Sequence, residues 1–478
     1  MFKDYDIVIG LEVHAELKTK TKVFCSCKNE FGSEANTNCC PVCVGLPGAL
    51  PVLNKKAVEL TIKAGLTIGS EINDIAVFER KNYFYPDLSK AYQISQLEKP
   101  ICVGGSITLD SGKVIRINRI HLEEDAGKLI HKNEHVGTLI DYNRGGVPLI
   151  EMVSEPDISS AQEAVEFLAK YRANLIFAGI ADCKMEEGGM RCDVNLSLKK
   201  KGAKEFGTRT EMKNLNSFKM VQRAIEFEAQ RQYEQLEAGN KIIQETRKWD
   251  DNKGRSFAMR SKEEAQDYRY FPDPDILSVK ISRDIVDLAK SQMPELASDK
   301  KTRYIKELLL PEYDAKILTS EKYIAEYYES VLNIVKKPKV VSNWIMTYVL
   351  AKCKEQNVDS LEDVISSKNL AYIINAVEEK EITRANGIDL FEIVSFSDLD
   401  AKKEAKERNM ISKMTDAELM AFIDAVFADN EKAVNDYKLD PVKVENYFMG
   451  QLMRRTQGKA NVVVARPIVH ERLESLTK

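Results

Sequence analysis

From Ile9 to His14 apolar and polar residues alternate one for one, with Ile9, Leu11 and Val13 set against Gly10, Glu12 and His14. This two-residue period belongs to a β-strand with one buried face, and it commits the chain to a sheet packed on one side. Glu12 and His14 then project together from the polar face. A carboxylate and an imidazole held on one strand face are two ligands already in place for a divalent cation. Alone, such a short pair is commonly just the wet side of a strand. Segments further along decide between the two readings.

A chain of 478 residues exceeds what one core organises, so two or three domains are expected. Over residues 1–292, short β-rich runs such as Lys113 to Asn118 alternate with glycine pairs at 104–105, 145–146 and 188–189. Two helices interrupt them. One is predicted from the capping box Ser160-x-x-Glu163 to Gly179, burying Ala164, Phe167, Leu168, Tyr171 and Leu175. The other runs from Ser217 to Gly239 with Phe218, Val221 and Ile225 turned inward. Few βαβ units are visible, which favours an α+β fold with a largely antiparallel sheet. Past Met293 glycine nearly disappears, and helical stripes follow: Tyr304, Ile305, Leu308 and Leu309; Ile317, Ile324 and Tyr327; Val340, Trp344, Ile345, Tyr348 and Val349. After the charged stretch Asp398 to Lys413 a last small helical unit closes the chain. From Arg454 onward it carries six Lys/Arg against two Glu, a locally basic end. The expected organisation is a sheet domain over 1–292 followed by two all-helical domains, 293–405 and 406–478.

A net charge of −4 gives no global attraction to nucleic acid, so any such contact is local. No apolar stretch approaches the ~20 residues of a membrane span, and no signal-peptide pattern opens the chain. The expected location is cytoplasmic. Nine cysteines are present, five of them between Cys25 and Cys43. Cys25-Ser-Cys27 and Cys40-Pro-Val-Cys43, two close pairs separated by a short loop, suit tetrahedral thiolate coordination of a structural Zn²⁺. Cys39 is left over, because Cys40 with Cys43 makes the better C-x-x-C turn. Such a closed site leaves no position open for chemistry.

A second acidic run, His121-Leu-Glu-Glu-Asp125, sets Glu124 in line with apolar Ile120 and Leu122. A carboxylate buried there needs a cation, which a metal would supply; the alternative is that the strand has ended by Glu124 and the acids are solvated. His121, Glu123 and Asp125 fall on the other face. Loops dense in Arg, Asn and Gly suggest a cleft for an anionic substrate, with Tyr83 and Tyr85 available to stack on bases. There is no G-x-x-x-x-G-K-[ST], no G-x-G-x-x-G and no G-x-S-x-G, so ATP, if bound, is not held by a Walker loop. Lys199 to Lys201 reads as a solvated hairpin tip, and His131, His135 and His470 as surface residues.

The motifs Ile9-Gly-Leu-Glu-Val-His14, the four cysteines, Arg80-Lys-Asn-Tyr-Phe-Tyr-Pro-Asp87 with Tyr92-Gln-Ile-Ser-Gln96, and His121-Leu-Glu-Glu-Asp-Ala-Gly-Lys128 occur in this order. Ser154-Glu-Pro-Asp157, Arg191-Cys-Asp-Val-Asn195, Lys213-Asn-Leu-Asn-Ser217 and Tyr268-Arg-Tyr-Phe-Pro-Asp273 follow. Together they resemble the B-subunit family of the bacterial aspartyl/glutamyl-tRNA amidotransferases. In the tail, Gly450-Gln-Leu-Met and Gly458-Lys-Ala-Asn461 resemble that family's terminal helical domain; the middle region matches more loosely, and Ile382-Thr-Arg-Ala-Asn-Gly387 departs from it. The resemblance implies a cradle-shaped catalytic domain, a helical domain and a tRNA-binding tail. It implies a ligase that uses ATP and Mg²⁺ to phosphorylate the side-chain carboxylate of Glu-tRNA(Gln) or Asp-tRNA(Asn). Ammonia released from glutamine by an amidase A subunit then gives Gln-tRNA or Asn-tRNA, and a small C subunit completes a heterotrimer. By the same resemblance Glu12, His14 and Glu124 are Mg²⁺ ligands, Lys81 stands at the mouth of an ammonia channel, and Cys25, Cys27, Cys40 and Cys43 hold zinc. On that basis Glu124→Ala is expected to abolish amidation while glutaminase activity persists. The alternative is a non-catalytic, zinc-dependent tRNA-binding factor.

Overall fold

The computed structural model describes residues 2–132, 137–261, 268–356, 358, 360–411, 416–435, 437, 439–456, 460 and 462–477. His135, Lys413, Gly458, Lys459 and Asn461 lie outside the described residues. The chain separates into two compact units that meet at Ala297/Ser298.

In the first unit the alternating run is the middle of a long strand, β1 (Tyr5–Glu16). Ile9, Leu11, Val13 and Ala15 are at most 1% exposed, which is the burial the alternation requires. The sheet around β1 has nine further strands: β2 (Glu71–Ile72), β3 (Cys102–Val103), β4 (Ser106–Thr108), β5 (Val114–Glu124), β6 (Pro148–Ser154), β7 (Met190–Lys200), β8 (Thr210–Leu215), β9 (Glu245–Asp250) and β10 (Arg255–Ser261). Their order is β10-β9-β8-β7-β1-β6-β5-β3-β2, with β4 also on β5. Among the described residues the pairings are antiparallel except β8 with β9, which run parallel. That exception has a cause: a helix joins the two strands, and a parallel pair needs such a crossover.

Three helices, α1 (Lys55–Leu66), α2 (Ala161–Phe177) and α3 (Phe218–Glu237), share one core with the apolar face of the sheet. The capping signals act as the spacing implied. Ser160 Oγ accepts from Glu163 N–H, and Ser217 Oγ accepts from Met220 N–H. Phe167, Leu168, Tyr171, Leu175, Val221 and Ile225 are fully buried. A one-residue slip of β1 would send its four apolar side chains to water, at about 1.5–3 kcal/mol for each large one, so the register is fixed by burial.

The second unit is helical and holds two separate hydrophobic cores, one spanning Tyr304 to Ala405 and one spanning Leu419 to Leu473. The architecture is therefore α+β with helical carboxyl-terminal parts. Two details differ from the sequence reading. The helix Ala297–Lys306 ends before Leu309, which takes a left-handed conformation (φ 53°) and is 81% exposed. Ile317 sits on the helix Glu312–Leu318, while Ile324 and Tyr327 belong to the next, Lys322–Val335. In the unusual segment at 382–387, Thr383 caps the helix Arg384–Val394 by accepting from Asn386 N–H. Gly387 is needed there because a Cβ would lie 2.6 Å from Val377 Cγ2.

Candidate active site and metal centre

The face of the sheet opposite the helices carries the polar residues of β1, and the register sets what stands beside each. His14 is opposite Glu151 on β6 and Arg191 on β7; Glu151 in turn faces His121 on β5. Four strands thus contribute one transverse row, His121–Glu151–His14–Arg191, with Glu123 two residues beyond His121. His14 Nε2 lies 3.3 Å from Glu151 and 3.6 Å from Glu123, and His121 Nε2 lies 3.6 Å from each carboxylate. Ligand atoms of His14, Glu123 and Glu151 all fall within 4.8 Å of one another, a spacing one divalent ion can span. Glu123 is also held by Ser95 Oγ at 3.2 Å.

The electrostatics follow from burial of opposite charges together. Burial alone would depress His14, but its hydrogen bond to Glu151 and the nearby Glu123 hold it up at about 9. Burial opposes ionisation of Glu151, yet His121 and His14 keep it well below the usual carboxylate range. Lys81, on the strand Glu79–Asn82, is half-buried, and this desolvation disfavours its charge; Glu123, Tyr270 and Glu151 outweigh it and raise the group. Its ammonium stands 5.0 Å from the Tyr268 ring centre.

Glu12 points from the same face but joins a different group. It clusters with Asp193 of β7 and Glu211 of β8, and Asn195 donates to it at 2.9 Å. Burial, and then Glu151, Glu211 and Asp193, push its carboxyl up. Lys213 bridges Asp193 and Glu211. Beside Glu12 opens a cavity of about 420 Å³, lined by Gly10, Ser154, Asn195, Ser197, Phe206 to Arg209, and Gln244. Gly207 presses against β7 so closely that a Cβ would come 2.0 Å from the Leu198 carbonyl oxygen.

Glu124 is not brought to this site. Its register partner is Pro148, and it shares the apolar face with Leu122 and Ile150, the side of the sheet opposite His14. The cation that the buried carboxylate requires is Lys90: its Nζ donates to both carboxylate oxygens at 2.6 Å, and Ile94 N–H donates at 2.9 Å. Of the three expected Mg²⁺ ligands, then, His14 is in the cluster, Glu12 is in the neighbouring one and Glu124 is in neither. Glu123 and Glu151, rather than Glu124, stand within ligand distance of His14. Glu151 carried a sequence signal that went unused, a lone acid inside the strand run Leu149-Ile150-Glu151-Met152.

The cysteine segment forms its own centre. The Cys43 sulfur lies 3.6 Å from Cys25, 3.8 Å from Cys40 and 3.9 Å from Cys27. Four sulfurs around a zinc at the usual ~2.3 Å bond length stand about 3.8 Å apart, so the set fits a tetrahedral ion. Cys39 turns away toward Asn143 Oδ1, 3.7 Å distant.

The wet face of the sheet gathers imidazoles and carboxylates from β1, β5, β6, β7 and β8, with a cavity beside Glu12, an arrangement of the kind a catalytic domain provides. Residues 7–287 match the family model described as the GatB/GatE catalytic domain, and residues 326–473 match a second, described as the GatB domain. The B subunit of the aspartyl/glutamyl-tRNA(Asn/Gln) amidotransferase of Lachnoclostridium phytofermentans is 48% identical over 474 residues, covering 98% of this chain and 99% of that one. Its counterpart in Caldicellulosiruptor saccharolyticus is 48% identical over 99% of this chain and 100% of its own. That of Persephonella marina is 44% identical over 98% and 100%. The chain belongs to the B-subunit family of the aspartyl/glutamyl-tRNA(Asn/Gln) amidotransferases, ligases that take glutamine as amido donor. No described helix is long and apolar enough to cross a membrane.

Proposed function

We propose that this protein, in the cytoplasm, activates the side-chain carboxylate of tRNA-bound glutamate or aspartate with ATP and passes it to ammonia. The observation that carries the reading is the convergence of His14, Glu123 and Glu151 beside the cavity at Glu12. The donor set suits Mg²⁺, being mostly carboxylate oxygen, with His121 in reach as a further ligand or as an orienting base. When bound there, Mg²⁺ supplies positive charge against which a phosphoryl group can transfer.

The protein's residues account for the rest. The cavity accepts the nucleotide, with Phe206 as an apolar wall and Arg209 as a cation toward its phosphates. The γ-phosphoryl moves to an oxygen of the substrate carboxylate, leaving ADP and an acyl phosphate. Ammonia then attacks the carbonyl carbon; the C–N bond forms, the C–O bond breaks, and inorganic phosphate carries off that oxygen. A carboxylate is a poor electrophile until its oxygen can depart, so activation is the step that needs help. Positioning and charge do this work without a side-chain nucleophile. Lys81, half-buried near Glu123 and Tyr268, meets ammonia delivered by an amidase A subunit, with a small C subunit completing the assembly; its charged neighbours support this reading. The four cysteines hold a structural Zn²⁺, and the basic tail contacts tRNA. A non-catalytic factor is not carried further, because the family model that covers the sheet domain is that of a catalytic domain.

The test is magnesium-dependent transfer of labelled γ-phosphate from ATP to misacylated tRNA by the assembled complex. Glu123→Gln and Glu151→Gln are each expected to lower amidation at least about 100-fold while glutamine hydrolysis persists. Full amidation in both would remove this cluster from the reaction.

A further inference from the structure

Lys22 is fully buried, at 0% exposure, which is rare for a lysine and costly unless an anion compensates it. Among the described residues no carboxylate pairs with it. Its Nζ donates to the Tyr142 carbonyl at 3.0 Å and to the Cys43 sulfur at 3.4 Å. The backbone is held on both sides: Lys22 N–H donates to the Cys27 carbonyl at 3.0 Å, and the Lys22 carbonyl accepts from Asn54 Nδ2 at 3.2 Å. Gly146, with φ 83°, lies against the aliphatic stem, where a Cβ would stand 3.5 Å from Lys22 Cδ, an ordinary packing contact. A carbonyl dipole does not neutralise an ammonium. Of its two hydrogen-bond partners, the Cys43 sulfur is the one that can carry a negative charge.

Four neutral thiols would leave that cation uncompensated, and so would two disulfides. Four thiolates around a divalent ion carry a net double negative charge, in excess by the amount one ammonium partly offsets. We propose that Lys22 is the built-in counter-cation of the four-cysteine metal site, bonded from Nζ to the Cys43 sulfur, so that metal loading and burial of Lys22 are one event. This rests on the reading of the cysteines as a structural zinc site. It also gives the site a mechanical role. The cation that binds Cys43 binds Tyr142 as well, and the turn from Tyr142 to Gly146 is tied to Asp125 by Gly146 N–H donating to the Asp125 carbonyl at 2.9 Å. Lys22 thus fastens the metal loop to the segment that borders the carboxylate strand β5.

Full-length protein is loaded with zinc and titrated with a competing chelator, comparing the natural chain with Lys22→Met and Lys22→Gln. Both variants are expected to hold zinc about 10- to 100-fold more weakly, the range for loss of an outer-shell partner. In cobalt-substituted Lys22→Met the thiolate-to-cobalt charge-transfer bands should move to lower energy, because the sulfur has lost both a hydrogen bond and its counter-charge; in Lys22→Gln they should move the same way, because the charge is gone. Wild-type affinity and bands in both variants would overturn the proposal, and so would full rescue by glutamine, which restores a donor without its charge. A natural chain that takes up no zinc would instead defeat the structural-zinc reading itself. Should neither variant fold, the unaltered protein is acylated with an amine reagent and read by peptide mass spectrometry. Lys22 should be protected when zinc is bound and labelled once it is stripped; labelling indifferent to metal overturns the proposal.

Discussion

Replacing Lys90 by methionine leaves the Glu124 carboxylate buried, with the Ile94 N–H still donating to it but no cation beside it. The two side chains are 15% and 4% exposed, so solvent screens their charges little. Removing one partner of such a pair costs about 3–5 kcal/mol, because the other is left uncompensated. For a unit of this size, 1 kcal/mol moves the melting temperature by about 2 °C, so Lys90→Met should melt about 6–10 °C lower. Lys90→Met with Glu124→Leu should recover most of that loss, since an apolar pair of similar volume replaces the ions at little cost. Trp249 lies in the first unit and Trp344 in the second. In a Trp344→Phe background, tryptophan fluorescence therefore follows the sheet domain alone, which isolates one transition in a chain that is not two-state. The cycle is refuted if Lys90→Met melts within about 2 °C of its parent, or if the double variant falls by the sum of the two single losses. Magnesium adds a second discrimination. Were Glu124 a metal ligand, the ion would restabilise Lys90→Met; as the partner of Lys90 it should show no rescue.

Gly207→Ala would set a methyl group against the Leu198 carbonyl and lift Phe206 to Arg209 off the cavity wall, a displacement of the order that costs about 100-fold in rate. ATP-dependent amidation should fall accordingly, and an unchanged ATP titration would show that this segment is not the wall of the nucleotide site. Glu228 is fully buried on α3; burial raises its carboxyl, but Arg231, Gln232 and Thr210 prevail and hold it below the ordinary value. A depressed carboxyl stabilises the fold above the unfolded-chain value of ~4.3 and loses that contribution as pH falls through the folded one. The gap in melting temperature between the natural chain and Glu228→Gln should therefore be largest near neutrality and shrink below about pH 4; a gap independent of pH would remove the charge from the explanation.

What was legible in the amino-acid order was whatever depends on near neighbours. Alternation in β1 set the buried row and the wet row, because a strand has no other way to separate Leu11 from Glu12. Ser160 and Ser217 announced their helices, since a hydroxyl at the first open N–H group acts within three residues. The spacing of Cys25, Cys27, Cys40 and Cys43 likewise foreshadowed a cluster closed by one short loop. The carboxylates could not be sorted in this way. Glu123 and Glu124 are adjacent and point oppositely, and which of them shares a face with His14 depends on β6, the strand that stands between β5 and β1. That pairing is set by burial summed over the whole sheet rather than by any local pattern. The same holds for the two lysines: Lys90 meets Glu124 and Lys22 meets Cys43 because folding excludes water there, and a charge deprived of water must end beside its opposite. Local chemistry thus determined the elements and their faces, while tertiary packing alone decided which charges share a site.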